Sequence, residues 1–392
     1  MAKVPELADH HISPTCGFLL EDPKEDLPEY FKPWEHAAKN IATLLEERKL
    51  RDFINNMPLL DHTKLRGYRE VRLGYTCLCF IANCYVWQNG DKGVVKSLPR
   101  QVAIPLTALA GFLGTKPALG YNSLLLANWK KIDPKGPLHY TNIDFIIKFT
   151  KGPDFLNFFR VTVQTELCAV PGIKACVAAL KAVLADDKET VVKSLAVMKQ
   201  AVLDIDKCFD MFKIVDPDYF YFIMGPLATG WGGEHSVLPD GLIYEGVSNE
   251  PQTALSANAG QSPFVFVVDS TLGITHSEEV KPHIDDVMTY MPYYHREFIH
   301  GIRNGPSLKD YVAKMNSPEL TAAYNCTVEG LIQFRSSHIR LVTRQMVLPS
   351  KKTEKIAASQ QVAAQAVEIP GAMQYLKGIR DHTATQQLPT GL

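Results

Sequence analysis

At 392 residues and 43.7 kDa the chain is too long for one ordinary hydrophobic core, so two domains sharing an interface are expected. Hydrophobic residues make up 46% and charged residues 21%, a normal globular composition. Lys+Arg 41 against Asp+Glu 42 leaves a net charge near zero, without the basic excess of a nucleic-acid partner or a polybasic membrane binder.

In chain order, MAKVPELADHHISP lacks the charged-then-apolar pattern of a secretory signal, and a cytoplasmic protein is expected. His10-His11 reads as part of a solvated terminus, with no ligand partner near it in sequence. Up to residue 150 the chain is dense in turn-formers (Pro14, Pro23, Pro28, Pro33, Pro58, Pro99, Pro105, Pro117, Pro134, Pro137), with short helices fitting between them at 34–49 and 61–87. The nearly apolar run 75–87 is interrupted by Thr76 and Asn83 and is too short to span a bilayer. Cys77, Cys79 and Cys84 fit no zinc spacing, and Cys77 and Cys79 would point to different faces of a helix, so core packing is their expected role.

After Pro153 a 3.6-residue period takes over, predicting helices at 155–170, 173–185, 188–212 and 307–348, with Pro171-Gly172 separating the first two. Cys168, Cys176 and Cys208 lie in these apolar helical contexts and are expected as thiols in a reducing compartment. The sequon Asn325-Cys326-Thr327 has no consequence there. Gly230-Trp231-Gly232-Gly233 resembles a phosphate cradle only superficially, since no buried strand precedes it and Glu234 follows; a turn is the better reading. Residues 264–268 are the best strand candidate, or equally a buried helix start. Residues 350–370 are rich in Lys, Ala and Gln without an apolar period and read as a mobile loop before a last short helix at 372–380. The expected class is mainly α, with a small mixed N-terminal domain over 1–150 and a large all-helical domain over 151–392.

Leu331, Phe334, His338, Leu341 and Gln345 recur at helical spacing and put one histidine in an apolar stripe. A lone histidine on such a face is more often a satisfied core residue than a ligand. Arg335, three residues earlier on nearly the same side, adds the alternative: an iron porphyrin needs a neutral imidazole in an apolar slot and cations at the rim for its propionates. Arg340 and Arg344 point elsewhere, toward solvent. The residues alone leave both readings open.

Several collinear stretches resemble the indoleamine 2,3-dioxygenase family. They are GFLLEDP (17–23), LPEYFKPW (27–34), LLLANWKKIDPKGPL (124–138), PDYFYFIMGPLATGW (217–231), LPDGLIYEGV (238–247), NAGQSPF (258–264), MPYYHREFI (291–299) and FRSSHIRLVTRQMVLP (334–349). The resemblance covers nearly the whole chain and implies a two-domain fold whose larger helical domain holds haem b (iron protoporphyrin IX). It implies His338 as the proximal iron ligand and Arg335 as the residue meeting a propionate. Tyr121, Phe158, Thr162 and Phe220 match positions lining the distal pocket, and Ala259 and Gly260 the loop over the haem edge.

Two departures stand out. Where the dioxygenases carry an arginine that holds the tryptophan carboxylate, this chain has Gly225, followed by Pro226. Where they carry a small-residue loop over bound substrate, this chain reads AVEIPGAM (366–373), with Val367, Glu368 and Ile369. Independently of any family, no Lys or Arg lies between Lys213 and Lys281, whereas carboxylates are frequent there. The resemblance extends to the oxygen-binding members, the dioxygenase-type myoglobins of gastropod molluscs. It implies reversible O2 binding in muscle, with CO as a probe ligand, no catalytic residue, no nucleic acid or membrane, and an oligomeric state compatible with a monomer. The alternative is a tryptophan or indoleamine dioxygenase forming N-formylkynurenine, of low activity or altered specificity.

Overall fold

The computed structural model describes residues 3–233, 236–357 and 369–389. Helix α1 spans Lys32–Lys39, α2 Gly67–Trp87, α3 Arg100–Leu113, α4 Pro153–Leu184, α5 Lys188–Met211, α6 Pro263–Leu272, α7 Tyr293–Arg303, α8 Pro318–Val342, α9 Leu348–Ala357 and α10 Ile369–Ala384. Strands are only two or three residues long. β1 (Ser97–Leu98) pairs in parallel with β4 (Ile243–Tyr244), and β2 (Trp129–Lys131) antiparallel with β3 (Ile143–Phe145). The fold is mainly α, as the sequence periodicity implies.

Helix α2 is buried on every side from Val71 to Trp87, the only stable fate of a helix without a polar face, and α1 and α3 pack upon it. Cys77, Cys79 and Cys84 are free thiols in this core, and burial pushes all three up, Cys79 to about 12. Farther along, α4 and α5 form an antiparallel hairpin. Asp187 caps α5, its carboxylate accepting from the Thr190 backbone N–H at 3.0 Å. Helix α8 lies on α5, α10 on α8, and α6 between α4 and α7. Helix α4 is long and apolar enough by composition to cross a bilayer, yet 56% of its most apolar window is buried inside the protein, as befits a core helix.

Several expectations change. Helix α4 runs straight through Pro171 and Gly172, because the proline is on the exposed side, where the carbonyl it leaves unbonded can meet water. Gly172 serves packing instead: a Cβ there would meet Ala201 Cβ at 2.9 Å and Phe264 at 3.1 Å. Residues 264–268 are helix α6, not strand, since Pro263 at its first position starts a helix and Gly273 in the left-handed region ends it. The pattern at 307–348 is two helices, parted by Asn316 at φ 45°. The expected loop at 350–370 starts as helix, with α9 reaching Ala357 and α10 beginning at Ile369; 358–368 lie outside the described residues. The terminal histidines are solvated, as expected, but also held: exposed His11 stacks on Tyr68 at 4.2 Å, and His10 Nδ1 is 3.0 Å from the Tyr294 carbonyl.

Among the described residues there are three five-residue π-helical turns, at Asn122–Leu126, Phe220–Met224 and Thr343–Val347, the last two within longer helices. Such turns carry one residue more than an α-turn and are frequent at functional sites.

Candidate functional site

Helix α8 and the π-turn that follows it present the stripe read from the sequence: Leu331 and Gln345 are buried, and Phe334, His338 and Leu341 half-buried. The Phe334 ring lies parallel to the His338 ring at 6.5 Å, and Phe209 of α5 sits 5.8 Å away. Burial lowers the His338 pKa to about 4, so the imidazole is neutral at physiological pH. The ring thus keeps accessible surface while protein surrounds it widely enough to desolvate it, as when a side chain faces an internal space. No hydrogen bond joins its nitrogens to any described residue, whereas a core histidine ordinarily has a partner. A neutral imidazole with a free nitrogen is a metal ligand in waiting. Among the described residues no group of three His, Cys, Asp or Glu could hold a metal. A metal at His338 would therefore bring its other donors with it, as a macrocycle does.

Aromatic rings lead from this histidine across the interior. Phe209 lies 6.5 Å from Phe212, Phe212 5.2 Å from Phe158, and Phe158 4.7 Å from Phe220. Phe158, Phe209 and Phe220 are all only half-buried although they belong to one apolar cluster. Thr162, one turn beyond Phe158, donates its hydroxyl to the Phe158 carbonyl at 2.8 Å, so the helix already uses the donor that the sequence offered to a ligand.

Farther along the same face of α4 lies Glu166, buried to 3% exposure. Its Oε1 accepts from the Tyr121 hydroxyl at 2.8 Å and from the Ser262 hydroxyl at 2.7 Å, while Oε2 is buried without a partner. Burial raises its pKa against the opposing pull of Ser262 and Tyr121. Gln261 accepts from the Tyr121 backbone N–H at 2.8 Å, tying the loop that carries exposed Ala259 and Gly260 to Tyr121. Tyr121 and Ser262 thus converge on one carboxyl that the sequence reading overlooked, with Thr162 a turn earlier on the same helix and Ala259 and Gly260 in the loop just before Ser262. Its signal was an acid on the apolar stripe Val163–Glu166–Ala169–Val170.

Arg335 is buried rather than at a surface ion pair. Its Nη2 grips both oxygens of Asp269 at 2.6 and 2.7 Å, and its Nη1 donates to the Thr383 hydroxyl of α10. His276 Nε2 lies 2.9 Å from the same carboxylate. Burial alone would raise the Asp269 pKa, but the Arg335 guanidinium and then His276 outweigh it and hold it below the usual range. A propionate approaching Arg335 meets a guanidinium already paired. Asp269, too, went unread, although a lone acid in the apolar run 263–272 marked it.

Gly225 follows directly on the π-turn Phe220–Met224, and a Cβ there would meet only the Phe220 carbonyl, at 3.3 Å. Among the described residues, the candidate cations are engaged elsewhere or exposed, Lys352 being paired with Asp218. Arg296 is committed to the Gly114 and Met291 carbonyls, Arg344 to the Lys213 carbonyl and Arg340 to Ser337, while Arg303 is exposed. Val367 and Glu368 lie outside the described residues. The 230–233 glycines form a turn, with Trp231 bridged to Ala254 and Gly232 and Gly233 at positive φ. Cavities of about 420 Å³ beside Lys174 and about 330 Å³ beside Tyr244 share no residue with this site.

The family model described as Indoleamine 2,3-dioxygenase matches residues 6–388. The chain is 35% identical to indoleamine 2,3-dioxygenase 2 of Mus musculus over 391 residues, covering 98% of this chain and 96% of the relative. It is 33% identical to myoglobin of Haliotis madaka over 384 residues, covering 97% and 99%. With indoleamine 2,3-dioxygenase of Saccharomyces cerevisiae it shares 30% over 379 residues, covering 90% and 83%. Similarity of this depth, unbroken from the first helix to the last, means that the chain belongs to the indoleamine 2,3-dioxygenase family.

Proposed function

We propose that this chain binds haem b, which His338 would hold through its imidazole, and uses it to bind O2 reversibly, as a cytoplasmic oxygen store. Haem is the cofactor that membership of this family carries. Once bound, it supplies an Fe(II) centre open to small neutral gases such as O2 and CO. The fit rests on the unpartnered, neutral His338 imidazole and on the half-buried rings that line the way to it.

In this reading Phe158, Phe220 and Tyr121 would keep the bound group dry, Ala259 and Gly260 would cover it, and Arg335 would share its charge between Asp269 and a propionate. Residues 151–392 form the haem domain, and residues 1–150 cover its distal side.

The observation that carries storage over catalysis is the missing cation. An amino-acid carboxylate brought into a dry pocket needs a charge-assisted partner worth about 1.5–3 kcal/mol, and without one it bears a desolvation cost of several kcal/mol. Each 1.4 kcal/mol is about tenfold in affinity. Gly225 supplies no side chain, and residues 214–280 contain no Lys or Arg.

Identity to proteins named as dioxygenases favours a second reading, a tryptophan or indoleamine dioxygenase of low or altered activity. Absorption spectra of the reduced protein under O2 and CO, followed by an assay for N-formylkynurenine, separate the two. A persistent oxygenated spectrum without product is expected. Rapid product formation would establish the second reading, and the absence of haem bands would overturn both.

A further inference from the structure

Helices α4 and α5 meet through a ladder of small and sulfur-bearing residues. Cys176 Sγ lies 3.3 Å from Met198 Sδ, Gly172 lies against Ala201, and at the end nearest the haem-side aromatics Cys168 Sγ lies 3.7 Å from Cys208 Sγ. This last pair differs from every other thiol of the chain. Cys16, Cys77, Cys79, Cys84 and Cys176 are buried singly, and Cys326 is exposed on another helix. Cys168 is half-buried and reachable from solvent, while Cys208 behind it is buried.

We propose that Cys168 and Cys208 form a peroxide-oxidisable dithiol, a modification site at which the α4–α5 hairpin can be covalently closed. The two sulfurs are about 1.7 Å farther apart than the ~2.0 Å of a disulfide, a gap that side-chain rotation can bridge. The roles are unequal. The two thiols share one hydrogen bond that either can donate, and Cys168, half-buried and touched by the Gln164 amide at 3.6 Å, is the sulfur that peroxide can reach, with its pKa lowered by these contacts. Cys168 is therefore the nucleophile and Cys208 the resolving thiol.

The Cys168 thiolate attacks one oxygen of hydrogen peroxide. An S–O bond forms, the O–O bond breaks, and the leaving hydroxide takes a proton to give water. Cys208 then attacks the Cys168 sulfenic acid; the S–S bond forms, the S–O bond breaks, and a second water leaves with the Cys208 proton. Two thiol hydrogens are lost and one peroxide is reduced. The closed link falls one residue from Phe209, whose ring packs against His338.

The test is peptide mapping of the haem-loaded protein after limited hydrogen peroxide, with diamide as an oxidant that bypasses the haem. A Cys168–Cys208 cross-linked peptide, lighter by two hydrogens and restored by dithiothreitol, is expected with both, ahead of any change at Cys326. In Cys208→Ser, dimedone should capture a sulfenic acid on Cys168, with label several-fold above that on Cys326; in Cys168→Ser, Cys208 should stay unlabelled. The wild-type map alone decides the matter if a variant fails to fold. Oxidation of Cys326 before Cys168, or over-oxidation of Cys168 without the cross-link, would overturn the proposal.

Discussion

Replacing Asp269 by Asn tests whether the Arg335 pair is as closed as its geometry indicates. The substitution keeps the shape but leaves a guanidinium at 6% exposure facing a neutral amide. Breaking a buried, bidentate pair by neutralising one partner costs about 3–5 kcal/mol, because the remaining charge stays desolvated. At about 2.1 cal/mol/K per residue, a chain of this length unfolds with roughly 0.8 kcal/mol/K, so Tm should fall by about 4–6 °C. Thermal melts followed by circular dichroism, run on haem-free and haem-loaded protein, separate this loss from any loss of cofactor. Arg335→Met combined with Asp269→Leu should recover most of the stability, since an apolar pair carries no stranded charge. The pH profile follows from the depressed Asp269 pKa. Its stabilisation is complete above the unfolded value near ~3.9 and disappears as pH falls through the lower folded value, and the Asn variant lacks that acid limb. A drop of under about 1 °C, or a double variant no better than Asp269→Asn, would refute this account.

Three other outcomes are expected. Gly225→Arg alone should yield little N-formylkynurenine from tryptophan, because Pro226 disturbs the turn that must aim the new side chain; strong turnover from that single change would show the loop at 366–373 to be irrelevant. Glu166→Gln should be at least as stable as the parent at pH 7. The raised Glu166 pKa makes the folded state lose stability as pH climbs from the unfolded value near ~4.3 through the folded one, and Gln abolishes that slope; a Gln variant weaker by more than about 1 kcal/mol would mean that Tyr121 and Ser262 require the ionised carboxylate. Gly172→Val should destabilise by about 1–3 kcal/mol in denaturant titrations, since even its Cβ enters the 2.9 Å gap to Ala201; an unchanged midpoint would mean that α4 and α5 are not in close contact there.

What could be read in advance depended on range. The helices of the second half were legible because their apolar residues recur every 3.6 positions, a local signal. The histidine of α8 was legible for the same reason, as the polar member of an apolar row. The partners were not, because they lie far away in sequence: Asp269 is 66 residues from Arg335, and Ser262 is 96 from Glu166. Composition misled where packing decided. Pro171 looks like a stop but falls on the exposed side of α4, and Val265, Val267 and Val268, β-branched and apolar, are helical because α4 and α7 flank them. The Lys- and Ala-rich stretch after 348 lacked an apolar row, yet its first residues continue as helix.

The π-turns bear on how such a scaffold can change its chemistry. Phe220–Met224 and Thr343–Val347 each lie within helix and carry one residue too many, so deleting a single residue there would tighten the wide turn to an α-turn and turn the side chains at its end relative to those before it. At Phe220–Met224 that rotation acts first on residue 225. The direction in which this position faces is thus set by a length, not only by the identity of the side chain placed there. Insertions and deletions in that turn, which leave every other residue untouched, would re-aim it as decisively as any substitution.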